Sequence, residues 1–241
     1  MAGPTASAEG PPEPERLPEA VREARDEAAP SALVAALALI LLAVVSWHAG
    51  WKLLGQELWW LWLVVAVPYA CLVGVLELWP SRPKLHDERR SIVLALLVAV
   101  WTFTVLGVGV LVMSLVSHSG GQITGRQLLL SGAVVLLTDT IAFGLAFWEF
   151  DCGGPIARAL ATARQAPDFQ FPQDENPELA RPDWSPRLSD YVYVSLTNTI
   201  AFSPTDTQPL TRPAKMLMAA ESILSGVTIL LVAARAVNIL G

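Results

Sequence analysis

The sequence predicts an all-α fold, a polytopic transmembrane helix bundle with about five spans plus a short re-entrant or interfacial helix. Two observations carry this prediction. Hydrophobic residues make up 53% of the 241 residues and charged residues only 16%, whereas about a quarter of the residues of soluble domains are charged. The hydrophobic residues are also gathered into continuous runs of about twenty, the length that a helix needs to cross a bilayer.

Five apolar runs qualify as membrane spans. They cover residues 31–51, 58–79, 91–117, 127–150 and 214–240. At about 1.5 Å per helical residue, each run is long enough to cross a hydrocarbon core of roughly 30 Å. Tryptophan favours the headgroup level, so Trp59 and Trp79 mark the two interfaces of the second span.

The remaining stretches are polar and divide the chain into regions. Residues 1–30 hold seven acidic side chains and three arginines without a hydrophobic period, which predicts a disordered acidic tail and not a signal peptide. Residues 31–150 then form a four-helix transmembrane region, and residues 151–187 form a polar, proline-rich connector. Residues 188–241 form a helical hairpin that ends in the final transmembrane helix.

The segment 188–202 decides the number of spans. It is moderately apolar but contains Asp190, Ser195 and Asn198, so it suits a re-entrant or interfacial helix that the protein shelters. If it crossed instead, there would be six spans and both termini would lie on one side.

Lysine and arginine gather in the N-terminal tail, after the second span and in residues 151–213. Positive charge stays in the cytoplasm. This distribution predicts a multi-pass protein of the cell membrane with a cytoplasmic N-terminus.

The sequence lacks the common signatures of enzymes and cofactor sites. It has no phosphate-binding glycine-rich loop followed by lysine, no His-Glu-x-x-His and no Gly-x-Ser-x-Gly. Its three histidines, His48, His86 and His118, lie near three different helix ends, which argues against a shared metal site. No basic stripe with interleaved aromatic residues indicates nucleic-acid binding. We therefore expect no enzyme, no cofactor, no metal and no nucleic acid, and we expect the lipid bilayer as the main partner.

Two acidic residues lie inside apolar runs. Asp139 is near the middle of the fourth run, and Glu221 is about two turns into the last one. Ser225 and Thr228 share a helical face with Glu221, and such a polar face should point into the bundle. The two carboxyl groups either line an ion or proton pathway or hold neighbouring helices together by hydrogen bonds.

The last fifty residues resemble the second half of a two-transmembrane potassium channel. Residues 191–198 stand at the pore helix, 199–203 at the filter, and Asp206-Thr207-Gln208-Pro209 at the turn before the inner helix, which contains Glu221. The resemblance implies a channel-like hairpin over residues 188–241. The two filter glycines are absent, because Ala201 and Ser203 take their places.

The whole chain also resembles an uncharacterised family of bacterial multi-pass membrane proteins. Two motifs carry this resemblance, Trp148-Glu149-x-Asp151-x-Gly153-Gly154-Pro155 and Asn198-x-x-Ala201-Phe202-Ser203-Pro204-Thr205-Asp206. The second motif also has a purely structural interpretation, as a side-chain-capped turn before the last helix.

Two hypotheses of function remain open. The first is an ion-channel-like or ion-translocating protein that forms a homo-oligomer, with residues 188–213 of each chain around an axis, and passes monovalent cations. The second is a membrane scaffold or accessory protein without transport activity. For the first hypothesis the candidate pore or ion-pathway residues are Asp139, Thr197, Asn198, Thr199, Ser203, Asp206 and Glu221.

Overall fold

The computed structural model describes residues 13–52, 56–78, 86–116, 124–161, 166–181, 184–201 and 206–240. The long helices are α1 (Glu13–His48), α2 (Trp60–Leu78), α3 (His86–Val116), α4 (Gly125–Phe150) and α8 (Arg212–Leu240). The shorter helices are α5 (Pro155–Leu160), α6 (Pro172–Glu175) and α7 (Leu188–Ala201). Strand β1 (Phe169–Gln170) pairs antiparallel with β2 (Gln208–Pro209), with Phe169 opposite Pro209.

The predicted helix bundle is confirmed. Five helices of the described residues are long and apolar enough to cross a membrane, and they correspond to the five predicted runs. The helix ends agree with the predicted ends within a few residues, except at the start of the first span.

The prediction of a disordered tail over residues 1–30 is wrong from Glu13 onward, because α1 already begins there and runs for 36 residues. Its early part has a hydrophobic period made of small residues. Leu17, Ala20, Ala24, Ala28 and Ala32 recur every three or four positions, and all are buried. Alanine is the best helix former, and its small side chain lets two helices approach closely. Residues 1–12 lie outside the described residues.

Helix α4 is the central element of the bundle. It packs against α1, α3, α7 and α8, and the hydroxyl of Tyr69 on α2 donates to the carbonyl of Thr138 over 2.6 Å. Two thirds of its apolar window is buried inside the protein, more than in any other described candidate span. The polar residues of α4 from Gln127 to Glu149 are therefore buried against protein.

Helix α7 enters the bundle and the chain returns to the end at which it entered. At its start, the amide of Leu188 donates to Glu27 of α1 and the hydroxyl of Tyr191 donates to Asp151, just after α4. Further along, the hydroxyl of Ser195 reaches the carbonyl of Thr140, in the middle of α4. By β2 the chain is back beside β1, which also contacts Asp151.

This path is that of a re-entrant helix within the bundle, and α7 is not among the five candidate spans of the described residues, which favours the five-span alternative over the six-span one. The helix has 14 residues, about 21 Å of length, which is too short for a span. We call the end at which α4 stops and α7 starts the connector end, and the opposite end the far end.

The close packing of α7 on α4 depends on Gly144. A Cβ atom at this position would lie 2.7 Å from Cγ2 and 2.9 Å from Cα of Val192. The second contact is with backbone, which cannot move aside without displacing α7. Gly144 thus sets the distance between the two helices.

We predict that Gly144→Ala lowers the stability of the protein by about 1–3 kcal/mol, the usual cost of overpacking. The measurement is thermal unfolding of the purified protein in detergent. Gly107→Ala and Gly109→Ala are matched controls, because a Cβ atom at either position meets no atom within 4 Å. Equal melting temperatures for Gly144→Ala and these controls would contradict the proposed contact.

Candidate functional site

The polar face of α7 meets Glu221 of α8 in the interior of the bundle. The hydroxyl groups of Ser195 and Thr199 both contact Oε1 of Glu221, and the side-chain amide of Asn198 donates to Oε2 over 2.6 Å. The hydroxyl of Ser222 in turn donates to Oδ1 of Asn198 over 3.0 Å. The Glu221 side chain is fully buried, and its two oxygens are held by three neighbours.

The Ser195 hydroxyl has one hydrogen and two acceptors within reach, the carbonyl of Thr140 at 2.9 Å and Oε1 of Glu221. When the hydroxyl donates to Glu221, the carboxylate can be charged. When it donates to Thr140, the contact with Glu221 needs a proton on the carboxyl group. Rotation of one hydroxyl therefore lets the same geometry hold Glu221 with or without a proton.

Asp139 is buried on α4 without such support. Its side chain is 1% exposed, and no described residue donates a hydrogen bond to either carboxylate oxygen. The neighbouring hydroxyls of Thr138 and Thr140 donate to backbone carbonyls of α4 instead. Asp139 lies close enough to Glu221 for the two charges to act on each other.

Buried polar side chains continue on both sides of this carboxyl pair. Toward the connector end, Tyr191, Ser195 and Asn198 follow one face of α7 at intervals of three and four residues and are buried. Toward the far end, buried hydroxyl and amide groups extend along α4 and α8; they are Gln127, Ser131, Ser225 and Thr228. Buried polar side chains thus occur along the bundle on both sides of Asp139 and Glu221, and we call this set of side chains the polar track.

A second polar cluster, centred on Asp151, lies at the connector end of the polar track. Oδ1 of Asp151 accepts from the amides of Asp168 and Phe169, and Oδ2 accepts from the hydroxyl of Tyr191 over 2.5 Å. Asp168 accepts from the hydroxyl of Thr211 over 2.6 Å. Asp151 therefore ties α4, β1 and α7 together, and Asp168 adds the start of α8.

Arg158 reinforces the same cluster. Its guanidinium donates to the carbonyls of Trp148 and Asp151 over 2.8 and 2.6 Å and lies 5.3 Å from the centre of the Tyr191 ring. Burial raises the pKa of Tyr191 above its ordinary value, against the opposing effect of Arg158. Tyr191 accordingly stays a hydrogen-bond donor at physiological pH.

The two glycines of the first sequence motif allow the chain to turn sharply after α4. Gly154 has a φ of +100°, and a Cβ atom there would lie 3.1 Å from the backbone oxygen of Glu149. Gly153 also has a positive φ. The turn directs α5 against α1 and brings the Arg158 side chain within hydrogen-bond distance of the carbonyls of Trp148 and Asp151.

The structure brings together some of the predicted site residues and separates others. Asn198, Thr199 and Glu221 belong to one interior cluster, and Asp139 is buried within electrostatic range of Glu221. The Thr197 hydroxyl donates to Val194 of its own helix, and Asp206 is exposed at the connector end. Ser203 lies outside the described residues.

The residues that stand at the filter in the channel resemblance begin with Thr199, Ile200 and Ala201, which are the last three residues of α7. Their backbone therefore belongs to a helix. The sequence did not single out Tyr191, Ser195 and Asp151 as site residues, although the recurrence of polar residues on one face of α7 was visible.

The described residues contain no group of three or more His, Cys, Asp and Glu side chains that could hold a metal ion. Comparison with known proteins gives no further guidance, because no protein family, curated protein or solved structure matches the chain.

We predict that Tyr191→Phe lowers the free energy of unfolding by about 1–3 kcal/mol, because Asp151 loses a charge-assisted hydrogen bond in a buried position. Thermal unfolding in detergent measures the effect. Tyr193→Phe is the matched control, since Tyr193 is on the same helix and half exposed. A Tyr191→Phe protein as stable as this control would show that the Tyr191 hydroxyl does not hold α7 in place.

Proposed function

We propose that this protein binds and translocates a monovalent cation, a proton or an alkali-metal ion, through the interior of its helix bundle. The observation that carries the proposal is the pair of buried carboxyl groups of Asp139 and Glu221, of which Asp139 has no hydrogen-bond donor among the described residues. The proposal concerns an integral membrane protein, in keeping with its five apolar helices.

Charge explains why this pair points to a cation. Two negative charges in surroundings of low dielectric are costly, and an ionised carboxylate in the membrane interior needs a partner. Among the described residues, no Lys, Arg or His forms an ion pair with either group. A compensating positive charge on the pair must therefore come from outside the described protein groups, as a proton or a bound cation.

The two carboxyl groups have unequal surroundings, and this difference suits a site that binds a cation and releases it again. Glu221 is held in one orientation by Ser195, Asn198 and Thr199, and the Ser195 hydroxyl can accommodate either protonation state. Asp139, which is within electrostatic range of Glu221, offers two carboxylate oxygens without a described donor. The Glu221 cluster contains the carbonyl of Thr140 and two hydroxyls, which are oxygen atoms of the kind that hard cations prefer.

The re-entrant helix supplies the route to this pair. Its polar face leads from Asp151 at the connector end to Glu221, and the buried polar groups of α4 and α8 lead on to the far end. All these groups lie within one chain, so the proposed path does not require subunits around an axis, and homo-oligomer formation stays a prediction. We further propose that the connector end, where the arginines gather, faces the cytoplasm of the cell.

We expect wild-type protein in liposomes of phosphatidylcholine and phosphatidylglycerol to move protons, Na⁺ or K⁺ down an imposed gradient. Asp139→Asn should reduce this flux at least tenfold, because it removes a charge that the cation needs while changing shape little. Proton flux is followed with an internal pH-sensitive dye and metal-ion flux with radioactive tracers, so the assay identifies the ion.

The control variant is Glu77→Gln, which removes a carboxyl group that is half exposed near the end of α2. It should leave the flux unchanged. Each variant must melt within a few degrees of wild type, so that loss of flux is not loss of fold. Absence of flux for all three ions, or an Asp139→Asn protein as active as wild type, would refute translocation and favour the scaffold alternative.

A further inference from the structure

An apolar groove opens between α3, α4 and α8 near the connector end, away from the carboxyl pair. Its volume is about 460 Å³, and its walls include Leu94, Val98, Trp101, Phe150, Met216 and Leu217. Val98 and Met216 are more than half exposed. The groove is therefore open on the outer surface of the bundle, between helices that are candidate membrane spans.

Arg89 and Arg90 lie on α3 about one turn before Leu94, the first groove residue of that helix, on its connector side. Arg89 is only 3% exposed, and its Nε and Nη2 atoms have no hydrogen-bond partner among the described residues. The Nε atom of Arg90 is likewise buried without a described partner. Burying guanidinium donors without acceptors costs free energy, so these donors favour a bound anion.

The buried carboxyl group of Glu149 does not satisfy these donors. Glu149 is buried close enough for its charge to act on Arg89 and Arg90. The described residues nevertheless show no ion pair within 4 Å at either arginine. Glu149 carries at most one negative charge, which acts on Arg158 as well as on Arg89 and Arg90, and Glu88 beside them is exposed. Positive charge and several donor hydrogens therefore remain for a ligand.

Arg90 lies on the same face of α3 as the groove residues of that helix. Arg90, Leu94, Val98 and Trp101 follow one another on α3 at intervals of three and four residues, so they share one helical face. From Arg90 to Trp101 this face extends about 16 Å along the helix. On the opposite wall, the first turns of α8 place exposed Arg212 and Lys215 beside Met216. Cationic groups thus lie at one end of an apolar track that runs parallel to the spans.

We propose that this groove binds an anionic phospholipid, with its phosphate at Arg89 and Arg90 and one acyl chain along the groove. A basic cluster at the cytoplasmic end of a groove between membrane helices is the arrangement that recognises anionic headgroups. A purely apolar occupant would leave the arginine donors without acceptors. A free phosphate would leave the apolar walls exposed, whereas a lipid supplies both parts in one molecule.

The test compares lipids with identical acyl chains on the full-length protein in detergent. Phosphatidylglycerol is expected to raise the melting temperature by several degrees more than phosphatidylcholine, and native mass spectrometry is expected to show one retained phosphatidylglycerol per chain. Glycerol phosphate, which has the anionic group without the chains, is expected to give no shift.

Two variants test the two halves of the proposed site. Arg90→Gln should weaken phosphatidylglycerol binding about tenfold, the effect of losing one charge-assisted hydrogen bond, while Arg126→Gln at the far end should not. Val98→Trp should fill the groove and displace the lipid. Val105→Trp is its matched control, because Val98 and Val105 are equally exposed on α3, at 54% and 55%, and Val105 does not line the groove.

Equal stabilisation by the two phospholipids would overturn the proposal, and so would an equal shift with glycerol phosphate. The comparison of lipids needs only the wild-type protein, so it decides the matter even if Arg90→Gln does not fold. If Val98→Trp retains phosphatidylglycerol as Val105→Trp does, the groove is not the binding site. None of these outcomes depends on ion flux, so the lipid site and the translocation path can fail separately.

Discussion

Helix α7 enters an apolar bundle, and the chain after it returns to the same end. The polar side chains of such a helix need hydrogen-bond partners inside the bundle. Lipid cannot supply hydrogen bonds, and in this protein the partners come from α4 and α8. The requirement explains why α4 is the most enclosed of the long helices. It also explains why Gly144 faces Val192, since the donors of α7 reach their acceptors only if the helices approach closely.

The two ends of α7 are held by different chemistry. At the connector end Asp151 collects donors from the backbone of β1 and from Tyr191, and this cluster is complete. Deep in the bundle, Glu221 is equally well held, but Asp139 beside it is not. The structural interpretation of buried acidic groups thus fits Glu221 by itself, whereas the pair with Asp139 favours a functional interpretation.

The sequence predicts the long helices well because each is a continuous apolar run, and it correctly places Glu221, Ser225 and Thr228 on a buried face. The prediction fails at the start of α1. The buried positions there are mostly alanines, and their hydropathy is too low to set this stretch apart from a polar tail. The sequence could not pair Asp151 with Tyr191 or Asn198 with Glu221, because these contacts depend on how distant helices pack. For the same reason, the sequence could not show that donors of Arg89 are buried without acceptors among the described residues.

The re-entrant helix has a consequence for how the chain is made. Residues 188–201 leave the ribosome before Glu221, so Ser195, Asn198 and Thr199 are synthesised ahead of the group that satisfies them. Helix α4 and Asp151 after it are already available by then, but among the described residues they offer the polar side chains of α7 only the carbonyl of Thr140 and the carboxylate of Asp151. The segment therefore cannot settle in the bilayer as an independent unit during translocation. Its insertion has to wait for α8, and the last stage of biogenesis becomes a joint docking of both helices.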